Sequence, residues 1–166
     1  MRRRLGRLGS GVALTTLAAL ALAGCTPPEP TEEELLAEAI ASYEGFYAAI
    51  DDQMAAGTAD PSAFSDFATT SVADEWAGYV QSSIDGGTIS SGVPTVVDIA
   101  IDSASATEVS ARLCSDGRSI ETTHADGSTQ APSALTAWQI SYVRDESDAP
   151  LLISALAPSQ DQRICE

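Results

Sequence analysis

Leu36, Ile40, Tyr43, Tyr47, Ile50 and Met54 recur at alternating spacings of four and three, the period of one helix face. Leu35 and Phe46 widen that stripe. The pattern predicts a long helix that starts at Thr31, an N-cap whose capping box is completed by Glu34 three residues on. Glu32, Glu33 and Glu34 suit the positive end of its dipole, and Gly57 stops it after about Ala56. Asp60-Pro61 predicts a short second helix with Pro in its first turn, carrying Phe64 and Phe67. A third helix, capped by Ser71, brings Val72, Trp76, Tyr79 and Val80 onto one face and ends at Gly86-Gly87.

From there the period becomes two. Val97, Ile99 and Ile101 point one way, with Asp98 and Asp102 opposite. Val109, Ala111 and Leu113 alternate with Glu108, Ser110 and Arg112, and Cys114 falls with the polar set. Asp116-Gly117 and Asp126-Gly127 are turn dipeptides around a short strand near Ile120 and Thr122. A longer strand, roughly Ala134 to Arg144, places Trp138, Ile140 and Tyr142 on one face. A turn from Asp145 to Pro150 leads to a last strand at Leu151 to Leu156. Helices first and an antiparallel meander afterwards is an α+β order, in which the helix stripe is buried against the apolar face of a sheet.

The start of the chain has a different pattern. Arg2, Arg3, Arg4 and Arg7 precede an apolar run from Gly11 to Ala23, too short to span a bilayer of ~30 Å and shaped like a secretory signal. Leu22-Ala23-Gly24-Cys25 closes it and resembles the lipobox of bacterial lipoproteins. That resemblance implies cleavage before Cys25, a lipid on its thiol, and tethering to the extracytoplasmic face of the cell membrane. The expected division is a signal peptide at 1–24, the lipidated Cys25 with a Pro-rich tether to residue 30, and one α+β domain over 31–166. Thr26-Pro27-Pro28-Glu29-Pro30 is a stiff extended spacer reaching ~15 Å at ~3.1 Å per residue.

Removing the signal leaves Arg112, Arg118, Arg144 and Arg163 against 24 acidic residues, a formal charge of −20. Such a surface repels nucleic acid and anionic headgroups, so a partner is a cation, a basic protein or a neutral ligand. The same acidity also serves solubility alone. With neither Lys nor Asn and abundant Ala, the composition suits a GC-rich genome, and beside the lipobox it resembles actinobacterial sequences. Cys114 and Cys165 remain as an even pair in an exported chain, which predicts a disulfide closing a loop of 51 residues. A metal site or redox pair fits less well, for want of companion His and of CxxC spacing. Because Cys114 lies with the polar set, the bridge is expected on the sheet exterior or at a strand end, clamping the tail across the back.

The element order, the long helix carrying Ala39-Ile40-Ala41-Ser42-Tyr43, the Cys114-Ser115-Asp116-Gly117 strand end and the terminal Cys165-Glu166 together resemble the nuclear transport factor 2-like superfamily, in its exported lipoprotein form. The resemblance implies a cystatin-like cone of curved antiparallel sheet wrapped around the first helix, with a pocket at its open end. Tyr43, Tyr47, Trp76, Tyr79 and Trp138 are the candidate pocket residues, with core filling as the alternative for the same aromatics. The superfamily hosts isomerases, cyclases and dehydratases as well as non-catalytic binding domains, and fold does not choose among them.

A catalytic site of that kind needs a buried acid or base. Asp98 and Asp102 are expected in solvent, and only Asp51 and Asp52 have a phase near a cavity. His124 stands alone at a hairpin tip, and no nucleophile motif of the Gly-x-Ser-x-Gly type is present. No catalytic residue, metal ligand or cofactor is therefore assigned. The expected function is a non-catalytic, lipid-anchored envelope protein binding a small apolar ligand or an envelope protein. The alternative is a small enzyme of the isomerase, cyclase or dehydratase type, and a third reading is a purely structural or surface-charge lipoprotein with a filled core.

Overall fold

Helix α1 (Glu32–Ala56) begins and ends where its local chemistry dictates. The Glu34 N–H donates to the Thr31 hydroxyl at 3.3 Å, and the Thr31 N–H donates to the Glu34 carboxylate at 2.7 Å. Two donors that a helix start leaves open are thereby satisfied reciprocally. Gly57, left-handed at φ 71°, gives its N–H to the Gln53 carbonyl at 3.0 Å and closes the other end. This computed structural model describes residues 30–130, 134–146 and 148–166. The expected signal, Cys25 and the expected tether up to residue 29 lie outside the described residues.

The buried line of α1 is Leu35, Ala39, Ser42, Tyr43, Phe46, Ala49, Gln53 and Met54. It is turned one residue from the predicted stripe, because small side chains sit at the closest approach while Ile40, Tyr47 and Ile50 are half-buried flanks. Gly45 is part of that approach. A Cβ there would lie 2.3 Å from the Phe67 ring.

The predicted second helix is a single 3-10 turn, Pro61–Phe64, whose Ser62 N–H donates to the Asp60 carboxylate at 2.9 Å. Its entry is held by Gln53, whose amide donates to the Asp60 carbonyl at 3.1 Å and accepts from the Asp60 N–H. Gln81 accepts the Ala59 N–H at 3.0 Å.

Helix α2 (Thr70–Asp85) starts after Thr69, not at the expected Ser71 cap, and Thr69 makes no side-chain cap bond. Its end is a paired cap: Thr88 N–H bonds the Ser83 carbonyl and Gly87 N–H the Ile84 carbonyl, both at 2.9 Å, with Gly87 left-handed. Val72, Ala73, Ala77 and Val80 are buried, so the inward face is rotated away from Tyr79, which is 57 % exposed.

Among the described residues seven strands follow: β1 (Ile89–Ser91), β2 (Thr95–Ala104), β3 (Glu108–Asp116), β4 (Glu121–Thr123), β5 (Thr129–Gln130), β6 (Leu135–Val143) and β7 (Leu152–Pro158). The main sheet is antiparallel in the order β2-β3-β6-β7, and a smaller antiparallel sheet has the order β1-β4-β5. Residues 67–69 run parallel to β7, exchanging two backbone bonds with Ile153 at 2.8 and 2.9 Å. The Asp126-Gly127 turn forms as expected, with Gly127 at φ 78°.

Strand β2 departs from strict alternation. Its pairing with β3 slips between Val96 and Asp98 and again between Ile101 and Ser103. The first bulge overturns the expected phase: Val96 and Ile99 pack on the core, and Val97 is 57 % exposed. A third slip, opposite Ser141 and Tyr142, lies in β7.

Both helices pack on one face of the main sheet, giving an α+β fold whose core holds Tyr43, Phe46, Phe64, Leu113, Ile140, Tyr142 and Ile153, each with less than 2 % exposure. The Tyr142 hydroxyl donates to the Ala39 carbonyl at 3.1 Å and ties β6 to α1. At the rim, Arg144 is buried, with Nη1 3.1 Å from the Glu38 carboxylate.

The opposite face carries the C-terminal tail. Cys114 and Cys165 are disulfide-bonded, with Cα atoms 5.2 Å apart. Asp161 lies 3.8 Å from Arg112, and Ser159 N–H donates to Ala137 at 2.8 Å. Cys114 does lie on the outer face of β3, yet it is fully buried because the tail covers it.

Candidate functional site

Four polar groups meet in the apolar seam between α1 and the main sheet. Tyr43 and Tyr47 are one helical turn apart on α1, and their rings lie 4.7 Å from centre to centre. Ser115 and Trp138 come from β3 and β6. Alternation brings Leu113 and Ser115 to the same face, and pairing sets Trp138 opposite Leu113. The Trp138 indole N–H donates to the Ser115 hydroxyl at 3.0 Å.

The Tyr43 hydroxyl is the unusual member. Its residue is wholly buried, and among the described residues the hydroxyl makes no hydrogen bond. Burial pushes its pKa up, and the nearby polar atoms of Ser115, Tyr47 and Trp138 ease that shift without completing a hydrogen bond. Burial also pushes Tyr47 up, reinforced by Tyr43. Both phenols are therefore neutral hydrogen-bonding groups at physiological pH. A buried hydroxyl without a partner costs folding free energy, about 1–3 kcal/mol in general.

Of the expected pocket residues, the structure groups Tyr43, Tyr47 and Trp138 here. Trp76 adjoins them through its edge-on contact with Tyr47, ring centres 6.2 Å apart, and also packs on Phe46. Tyr79 is separate: it points out of the α2 core face, touches only the edge of Trp76 in this group, and donates to Glu75 at 3.1 Å. Tyr47, Trp76 and Trp138 are half-buried, so the cluster reaches the surface through them. Ser115 was absent from the predicted set, although counting by twos from Val109 through Ala111 and Leu113 ends on it.

The acids considered for catalysis are elsewhere. Asp51 accepts the Gly92 N–H at 2.8 Å and so pins the entry to the main sheet onto α1. Asp98 and Asp102 are exposed; Asp98 accepts the Ile99 N–H at 2.8 Å, and Asp102 accepts from Arg112 Nε at 2.8 Å. His124 is half-buried beside Thr88, with Nδ1 3.4 Å from its hydroxyl. Among the described residues no three His, Cys, Asp or Glu side chains are grouped to hold a metal ion, and no helix is long and apolar enough to cross a membrane.

Two surface clefts lie apart from the aromatic cluster. One of about 370 Å³ runs along the sheet end by Ser103, Ser110, Ser141, Ser154 and Glu108. Another of about 390 Å³ lies between the 3-10 turn and the start of α2, by Pro61, Ser65, Thr70 and Asp74. Neither is lined by a predicted pocket residue. The four arginines beyond residue 24 are each within ion-pair distance of an acid: Arg112 with Asp102, Arg118 with Asp116, Arg144 with Glu38 and Arg163 with Asp161. Arg118 holds the Asp116 carboxyl down to about 2.

No family model and no curated protein matches this chain. Among solved structures, the intermembrane space region of the chloroplast protein ARC6 aligns with 78% of this chain and 97% of its own, at 11% identity and a TM-score of 0.45.

Proposed function

We propose that this chain is a lipid-anchored lipoprotein of the extracytoplasmic membrane face, carrying a nuclear transport factor 2-like domain that binds a ligand without transforming it. The observation that carries the binding role is the Tyr43 hydroxyl, buried among Tyr47, Ser115 and Trp138 and without a hydrogen bond among the described residues. Buried polar groups are as a rule hydrogen-bonded, so this hydroxyl calls for a partner that the described residues do not supply. The anchor rests on Leu22-Ala23-Gly24-Cys25, and the domain type on a capped α1 lying across an open, bulged antiparallel sheet. One observation favours binding over the isomerase-type alternative: Asp51, an acid whose phase lies near the cluster, accepts the Gly92 backbone N–H and not a group of the cluster.

Native mass spectrometry of the exported chain from Thr26 onward, which contains every described element, tests the binding role. A co-purifying mass, or one acquired from envelope lipid extract, is the expected result; a bare chain under both conditions would turn attention to a protein partner. For the anchor, Cys25→Ala should move the protein out of the membrane fraction or block its processing. Unchanged membrane partition would remove the lipoprotein assignment.

A further inference from the structure

The two sides of the molecule differ in charge. From residue 25 to residue 111 the chain holds no Arg, Lys or His, so α1 with seven acids and α2 with three carry no base. Arg112 and Arg163 lie on the far side of the main sheet with its tail, Arg118 in the turn after β3, and Arg144 buried at the rim. The helical layer is thus an uncompensated acidic surface. Acidity alone serves solubility, but one stretch of α2 adds other groups to it. We infer that the outward face of α2 at Glu75, Gly78 and Tyr79 docks an arginine-bearing segment of a basic protein. This surface lies outside the seam between α1 and the sheet, and its use does not depend on the binding role proposed above.

Tyr79 is the aromatic among the exposed large apolar side chains of the described residues, and it is held in place. Its hydroxyl donates to Glu75 Oε1 at 3.1 Å, and its ring meets Trp76 edge-on with centres 6.1 Å apart. Trp76 is braced in turn by the buried Phe46. A ring fixed before its partner arrives loses little freedom on binding. Oε2 of Glu75 makes no hydrogen bond or ion pair among the described residues and is open to a donor. Gly78 sits beside Tyr79 on the same exposed face. A Cβ there would meet nothing within 4 Å, so packing does not ask for glycine, which weakens an exposed helix. The notch leaves the Tyr79 ring and the helix backbone open to close approach.

A guanidinium fits all three features. It stacks on a tyrosine face, gives paired N–H donors to a carboxylate, and is more weakly hydrated than an ammonium. A metal ion finds no cage, since among the described residues no three His, Cys, Asp or Glu side chains are grouped to hold one. Nucleic acid and anionic lipid are repelled by the same carboxylates. Charge complementarity therefore selects a basic chain, and the ring selects arginine over lysine.

The probes are an end-blocked peptide of alternating arginine and serine and its counterpart with lysine for arginine. Each is titrated into the isotope-labelled, exported chain from Thr26 at physiological salt, where long-range attraction is screened. Amide shifts should centre on residues 74–82, with the arginine peptide bound more tightly than the lysine one. Tyr79→Leu should weaken the arginine peptide about fourfold and Glu75→Gln about threefold, whereas Asp148→Asn, an equal loss of charge at an exposed turn, should change it less than about 1.5-fold. Gly78→Leu fills the notch: it should melt higher than wild type yet bind about threefold more weakly, which separates docking from folding. Shifts scattered over all acidic surfaces, equal losses in Tyr79→Leu and Asp148→Asn, or no preference for arginine would overturn the inference.

Discussion

Tyr142 and Tyr43 share one core but differ in what their hydroxyls meet. Tyr142 donates to Ala39 across the α1–β6 seam at 3.1 Å, whereas Tyr43 has no acceptor among the described residues. Removing the first hydroxyl leaves Ala39 with its helix partner and deletes a buried tie. Tyr142→Phe is therefore expected to lower stability by about 1 kcal/mol, read from the midpoint of urea unfolding. An unchanged midpoint would show that this bond contributes nothing net. At this scale the sequence was legible where chemistry is local: Thr31, Glu34 and Gly57 act as their types and spacings predict. It was illegible where partners are distant. Nothing adjacent to Tyr43 says that its hydroxyl will face Ser115, which lies 72 positions along and is brought near only by the turn of β3 under α1.

At the scale of the element, glycine separates packing from propensity. Both Gly45 in α1 and Gly78 in α2 carry the usual helix penalty of roughly 1 kcal/mol against Ala. A Cβ at Gly78 meets nothing within 4 Å, while one at Gly45 strikes the Phe67 ring. Gly78→Ala should therefore stabilise by about 0.5–1 kcal/mol. Gly45→Ala should destabilise by about 1 kcal/mol or more, because Phe67 is braced by the backbone bonds of residues 67–69 to β7. Thermal melts of the two variants shifting the same way would refute this contrast. The same competition explains which elements were read correctly. The length and caps of α1 follow from a long uninterrupted period. The inward face of α2 is set by Ala73 and Ala77 instead of Tyr79, since small residues let the helix approach and alanine gives little signal to a hydrophobic count. The bulges of β2 were hidden because Val97, Ile99 and Ile101 satisfy a period of two whether or not a residue is inserted.

The whole molecule is a helical layer, a main sheet, and a tail strapped to the sheet's far side. The strap was legible in kind, because two cysteines and the polar phase of Cys114 predict a bridge on the outer face. The depth of Cys114 was not, since burial there comes from residues 159–166 folding back. Closing 51 residues should be worth ~4 kcal/mol in the chain-entropy account. Cys165→Ser should lower stability by about 2–4 kcal/mol, and Cys114→Ser by more, because it leaves a hydroxyl under the tail. Unfolding midpoints that ranked them the other way would mean that the tail lifts freely once the bridge is lost. A different consequence follows from β2. It is one of the two outer strands of the main sheet and ten residues long, the kind of edge onto which other chains add strand beside strand as aggregates. Two bulges break its regular repeat, the Asp98 carboxylate takes the Ile99 N–H, and Asp102 adds charge beside the second slip. Crowded copies thus meet an irregular, acidic border that offers a poor template for fibril growth.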